Sequence, residues 1–174
     1  INQQWKADAR DTGCAAVAEV LKNGAKDGIA LELVELMDSG ITALGAAAMG
    51  SALMLGANAS LTTLRLDMNA GLGDEGVAAL CRGLHTNRSL KVLTLSYVNM
   101  GPAGAASLAS VLGSPLSVLE ALDVTGNHLT SVGFESVALA CKGSRNLKEL
   151  VLCDNSIGSA FLLPRGPAGA QAAG

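Results

Sequence analysis

Aromatic residues are nearly missing from this chain of 174: Trp5, Tyr97, Phe134 and Phe161 are all it has. Without a row of ring faces there is no platform for stacking single-stranded nucleic acid, and a net charge of −3 argues against a phosphate-binding surface. No nucleic-acid partner is expected. Charge is also scarce, at 16% of residues against 49% hydrophobic, so the chain can bury a sizeable core and is not disordered. The four cysteines (Cys14, Cys81, Cys141, Cys153) form no CxxC pair and no spacing of a metal site or disulfide framework. Reduced thiols in a cytoplasmic setting are expected. The first residues carry no basic-then-apolar leader, which predicts no secretory signal. His85 and His128 are the only imidazoles; neither has HxxxH spacing, and no serine sits in GxSxG. No catalysis, metal or cofactor is expected. The length suits one domain or a run of repeats.

What the chain does have is a period. The pattern L-x-x-L-x-V-x-x-N-x-L fits Leu119, Leu122, Val124, Asn127 and Leu129, and again Leu147, Leu150, Leu152, Asn155 and Ile157. It fits Leu90, Leu93, Leu95, Val98 and Met100 with Val in the Asn column, and Leu31, Val34, Leu36, Ser39 and Ile41 with Ser there. At Leu61, Leu64, Leu66 and Asn69 one extra residue delays the last apolar position to Leu72. Starts at 31, 61, 90, 119 and 147 are 30, 29, 29 and 28 apart. A second pattern runs in phase with it: a glycine followed by apolar residues four and eight positions on. It occurs at Gly45/Met49/Leu53, Gly76/Leu80/Leu84, Gly104/Leu108/Leu112 and Gly133/Val137/Cys141, with an earlier copy at Gly13/Val17/Leu21. Spacing of four is helical and L-x-L alternation is that of a strand, so each unit is a short strand, a tight turn and a helix of about three turns.

These residues resemble the leucine-rich repeat family, in its ribonuclease-inhibitor-like class of 28- or 29-residue repeats. NOD-like receptor sensor arrays and Ran GTPase-activating protein share that class. Its helical half opens with Gly-Asp-x-Gly, present here as Gly73-Asp74-Glu75-Gly76. The resemblance covers residues 11 to 158 and implies an α/β solenoid, a horseshoe with parallel strands on the concave side and helices outside. Elementary spacing agrees: strands pack about 4.8 Å apart and helices about 8–10 Å, so the sheet must be the inner wall. Residues 1–10 read as an N-terminal remnant. The array takes 11–158, with a partial repeat over 11–30 whose helix runs Cys14 to Asn23 and a loop at Gly24–Ile29. Residues 159–174 read as an irregular Ala/Gly/Pro tail or a truncated repeat. Neither end has a polar cap, so neighbouring repeats or domains of a longer chain are expected.

The Asn column has a mechanical reason. Where the chain leaves a strand its amides and carbonyls turn inward and need partners, and one carboxamide offers two donors and an acceptor. Asn69, Asn127 and Asn155 should form a structural ladder that Ser39 and Val98 break, each losing about 1 kcal/mol. Two decoys are set aside. Gly71-Leu72-Gly73-Asp74-Glu75-Gly76 is a literal GxGxxG, but no acid follows between Glu75 and Glu120 to hold a ribose. The uncharged runs 39–64 and 92–119 are long enough to span a bilayer, yet both contain the strand motif and turns in repeat phase, so no membrane is expected.

Residues between the apolar columns should face the concave side: Leu33, Glu35, Met37 and then Asp38; Thr63, Arg65, Asp67 and then Met68; Val92, Thr94, Ser96 and then Tyr97 and Asn99; Ala121, Asp123, Thr125 and then His128; Glu149, Val151, Cys153 and then Asp154. Six acids (Glu35, Asp38, Asp67, Asp123, Glu149, Asp154) stand there against Arg65 alone. Such a face favours a basic protein partner over acidic ones. Thr94 and His128 complete the expected binding set, and Tyr97, the array's only aromatic on this face, is its expected anchor. Cys153 is the cysteine expected to be accessible. The expected function is a non-enzymatic protein–protein interaction module binding a basic segment. The resemblance also implies two alternatives, a GTPase-activating or regulatory protein and the sensor array of a NOD-like receptor.

Overall fold

Each short strand is followed by a helix, and the five strands lie side by side in the order in which the chain makes them. A computed structural model of the protein describes residues 3–54 and 59–156. Its elements are α1 (Gln3–Asp27), β1 (Leu33–Glu35), α2 (Ala43–Leu53), β2 (Thr63–Arg65), α3 (Gly73–Leu84), β3 (Val92–Thr94), α4 (Pro102–Leu112), β4 (Ala121–Asp123), α5 (Thr130–Cys141) and β5 (Glu149–Val151). All strand pairs are parallel, and the register stacks Val34, Leu64, Leu93, Leu122 and Leu150 as successive rungs. The solenoid read from the repeat is the fold that forms. Among the described residues no helix is long and apolar enough to cross a membrane.

The apolar columns meet in one continuous core. Leu61, Leu64 and Leu66, then Leu90, Leu93 and Leu95, then Leu119, Leu122 and Val124 point inward, against Met49, Leu53, Leu80, Leu84, Leu108 and Leu112 from the helices. Burial of this kind, about 25 cal/mol per Å² of apolar surface, is what closes each coil on the next. Leu147, Leu150 and Leu152 in the last described coil are only partly buried. The first helix differs from its expected span. It starts at Gln3 and continues to Asp27, through the stretch read as remnant and loop. Its stop is Gly28, at φ 72°, where the Ile29 amide turns back onto the Gly24 carbonyl at 2.7 Å. This is a helix ending on a left-handed glycine. Ile157, the last expected apolar position, and the tail 159–174 lie outside the described residues.

The exit turns carry their carboxamides inside. Asn69 Oδ1 accepts from the Ser39 and Ile41 amides, both at 3.0 Å, while Nδ2 donates to the Leu36 and Leu66 carbonyls. Asn127 serves Val98, Met100, Leu95 and Val124 in the same way, and Asn155 serves Leu129, Val124 and Leu152. Each Asn thus reaches back to the preceding coil. Ser39 has no strand before its own among the described residues, so its column has nothing to bridge there. Val98 is compensated by the extra residue in the preceding coil: the Leu72 amide closes its own turn onto Asn69 O at 3.0 Å, and the Gly73 amide takes Val98 O. Insertion and missing Asn are one adjustment. Asn87 makes a second kind of bridge. Buried in the turn after α3, it accepts from the Ser89 and Leu90 amides and donates to Leu53 O of the previous helix.

Two predictions come from this packing. A methyl on Gly83 would run into the Gly50 carbonyl of α2, whereas one on Gly13 of α1 would meet nothing within 4 Å. Gly83→Ala should therefore destabilise by about 1–3 kcal/mol, and Gly13→Ala should stabilise by about 0.5–1 kcal/mol. Urea unfolding of both variants reads the opposite signs. Asn127→Val has no compensating residue in the coil before it and should cost on the order of 3 kcal/mol, because the Val98 and Met100 amides lose their acceptor; the same titration measures it.

Candidate functional site

The strands are three residues long, so the alternation that sorts inside from outside acts on few positions, and the turns after them decide the rest of the face. Glu35 and Arg65 sit opposite each other on β1 and β2 and pair at 2.8 Å, both exposed. The face's only base is thus already matched. Asp67 belongs to the fold rather than the surface. It is 8% exposed, accepting the Thr94 hydroxyl at 2.6 Å on one oxygen and the Ser96 amide at 2.7 Å on the other. The short exit segment turns it sideways onto the next coil. Thr94, spent on this bond, is half-buried. Asp123 is also half-buried, with Oδ1 taken by the Thr125 amide and hydroxyl. Asp38, His128, Glu149 and Asp154 are exposed.

The negative potential is uneven along the strands. At their entry edge Glu120 lies between two ammonium groups, Lys148 Nζ at 2.5 Å and Lys91 Nζ at 3.1 Å. Lys148 and then Lys91 hold its carboxyl below the ordinary range. Over β3–β5 the entry edge is therefore slightly basic, and on that half of the sheet the acids without a basic partner, Asp123, Glu149 and Asp154, lie at mid-strand and exit.

One column of residues lies three positions beyond the strand ends: Asp38, Met68, Tyr97, Gly126 and Asp154. Every member has positive φ, from 46° to 67°. The expected surface set passes over this column at the fourth coil, where it names His128 and the member is Gly126. The spacings Tyr97 to Gly126 to Asp154, 29 and 28, carried the signal. Asp, Asn and Gly enter the left-handed region readily, while Met and Tyr do so at a cost of about 1 kcal/mol. Tyr97 packs against Gly126, where any Cβ would occupy the ring, and its hydroxyl donates to Asp154 Oδ2 at 3.1 Å. That carboxylate raises the phenol's pKa, so Tyr97 stays a neutral donor. Beside it opens a shallow hollow of about 460 Å³, lined by Ala70, Tyr97, Asn99, Gly126, Asn127, His128, Asp154 and Ser156. A second, of about 210 Å³, lies mid-strand, where Val92, Ala121 and Val151 are flanked by Arg65, Asp123 and Glu149.

The GxGxxG segment has a visible use. Asp74 Oδ1 accepts from the Gly101 and Gly104 amides at 2.7 and 2.8 Å, at the start of α4. Asp11 does the same for Thr42 and Gly45 at the start of α2. Among the described residues no group of three His, Cys, Asp or Glu could hold a metal ion.

Profile comparison matches the family described as Leucine Rich repeat to residues 57–81, 86–109 and 116–138. The chain is a ribonuclease-inhibitor-like leucine-rich repeat protein. It is similar to human NACHT, LRR and PYD domains-containing protein 5, at 34% identity over 74% of this chain and 13% of that protein. Pig ribonuclease inhibitor is 32% identical over 83% of this chain and 31% of its own length. This leucine-rich repeat chain thus spans less than a third of either relative. In three dimensions it resembles leiomodin-1 actin-binding site 2, with TM-score 0.65, 17% identity, and coverage of 78% of this chain and 76% of that one. At that identity the likeness is one of fold.

The four thiols of the array separate by depth. Burial pushes Cys14 up to about 11 and Cys81 up to about 12, Cys141 is raised by partial burial, and Cys153 is exposed. A raised pKa means the folded state holds protons that the unfolded state has released, so stability falls as pH rises above about 9. At pH 8 iodoacetamide should label Cys153 first and Cys141 more slowly, leaving Cys14 and Cys81 until urea is added. Mass spectrometry of the time course checks that order.

Proposed function

We propose that this repeat array is a non-enzymatic interaction module whose concave sheet captures a basic protein segment. One observation carries the reading: Asp123, Glu149 and Asp154 crowd the β4–β5 end of the face, while its one base, Arg65, is engaged by Glu35. Unmatched charge of one sign speeds encounter with the opposite sign and disfavours like-charged competitors. Five strands about 4.8 Å apart span about 20 Å, a width suited to a peptide or protein surface. Apolar Val92, Ala121 and Val151 supply a floor for side-chain stems, so binding need not rest on surface charge alone.

A second reading, favoured by the NACHT, LRR and PYD relatives, takes this array as the sensing part of a larger receptor-like chain. A complete parent sequence with a nucleotide-binding domain would support it. Both readings fit a cytoplasmic setting, since all four cysteines are unpaired.

The first reading makes a direct prediction. Asp123→Asn combined with Glu149→Gln should weaken binding of a ten-residue alternating Lys-Gly peptide roughly tenfold at low ionic strength and flatten the salt dependence. Isothermal titration at 20 and 200 mM salt measures both, and binding unchanged in the double variant would reject the acidic sheet as the capture surface.

A further inference from the structure

Tyr97 occupies a position that the fold alone does not justify. Its backbone sits at φ 56°, a conformation that Asp38, Asp154 and Gly126 of its column accept at little cost but that Tyr97, like Met68, does not. Tyr97 is 47% exposed, so it contributes little to the core. Nevertheless it is held at both ends. Gly126 leaves room for one ring face against the backbone, and Asp154 receives the hydroxyl at 3.1 Å. A strained, exposed and immobilised aromatic has already spent the entropy that binding would otherwise demand.

Resting on the basic-segment reading above, we infer that the hollow beside Tyr97 is a subsite for one arginine side chain of the bound segment, its guanidinium stacked on the ring and hydrogen-bonded to Asp154. The hollow, of about 460 Å³, borders the ring, the Asp154 carboxylate, Asn99 and His128 together. Asp154 Oδ1 has no partner among the described residues, so a fork of donors lying over the ring finds an acceptor beside it. An aliphatic or aromatic side chain there would strip water from that carboxylate without replacing its hydrogen bonds. Lysine supplies charge but no plane to cover the ring. Arginine meets both demands, since its flat, weakly hydrated guanidinium stacks on aromatic faces and donates in a fork.

The test uses the whole chain and two ten-residue peptides of equal charge, alternating Arg-Gly and alternating Lys-Gly, with affinities read by titration calorimetry. The arginine peptide should bind about fivefold tighter. Tyr97→Asn removes the ring but keeps a residue suited to positive φ, so this variant should be at least as stable as the parent in urea, and its preference should fall below twofold. Gly126→Ala keeps the tyrosine but displaces the ring and should have the same effect, as should Asp154→Asn. Asp123→Asn with Glu149→Gln should weaken both peptides alike and leave the preference intact. Equal affinities for the two peptides, or a preference that survives Tyr97→Asn, would overturn the arginine subsite while leaving the acidic sheet standing. Failure of both peptides to bind would overturn the two together. Affinities for both peptides left unchanged by the Asp123→Asn, Glu149→Gln variant, with the arginine preference present, would uphold the subsite and sink the wider reading.

Discussion

Every coil of this array must leave its strand with amides and carbonyls facing a dry interior, and the rest of the structure depends on how that is managed. A buried amide without a partner costs about 1–3 kcal/mol, and each exit turn presents two of them. Asn69 and Asn127 satisfy both with one carboxamide oxygen, while their nitrogens tie carbonyls of two coils. In the second coil, followed by Val98 instead of Asn, the inserted residue lets Leu72 close its own turn. The same turn holds the third residue beyond each strand in the left-handed region. That residue's side chain is thereby carried off the strand's alternation and out along the rim. The candidate site therefore descends from the backbone constraint: the turn that fills the core with Asn also sets Tyr97 and Asp154 facing each other across Gly126.

The same logic divides the charged residues. Acids near an exit are drawn toward free amides of the neighbouring coil, so an acid's column does not by itself make it part of the surface. Asp67 shows the outcome, with both oxygens consumed by Thr94 and Ser96. Asp154, whose side chain bonds only Tyr97 among the described residues, shows the reverse. Basic residues sort differently because their long stems reach across coils. Lys91 and Lys148 converge on Glu120 at the strand entry. A face that looks acidic when its charges are summed is thus graded over β3–β5, slightly basic where those strands begin and acidic where β4 and β5 end. A bound segment would meet that gradient and be oriented by it.

The fold was legible because its signals repeat. Leu64, Leu93, Leu122 and Leu150 occupy one column at nearly constant spacing, and stacking them is the only way to bury them all. The sequence expectation ends the first helix at Asn23, whereas Gly28, free to take positive φ, is the stop used. The site was harder to read. Parity along a strand fixed Glu35, Arg65 and Glu149 correctly as exposed, but parity ends after three residues, and beyond it Asp67 was placed outside when it lies inside. Gly126 is silent in the sequence because a glycine among twenty-one carries no mark of its own. Its meaning lies in the ring that fills its missing side chain.

Helix starts give the clearest case of a motif whose chemistry is spent internally. The GxGxxG segment offers loop amides and a helix N-terminus, the features that attract phosphate in other folds. Here the carboxylate of Asp74 crosses to the next helix and caps Gly101 and Gly104, as Asp11 caps Thr42 and Gly45. Helices α2 and α4, with no acid of their own in the first turn, are served by α1 and α3. Each favourable anion position at those two helices is already filled by protein. The same reasoning applies along the array, where residues that obey the period are committed to neighbouring coils and have little left for a partner. Capacity for recognition survives where the period is broken without a structural return, and Tyr97 is such a place: its column tolerates Asp and Gly more cheaply, yet a ring stands there, and the next two coils hold it still.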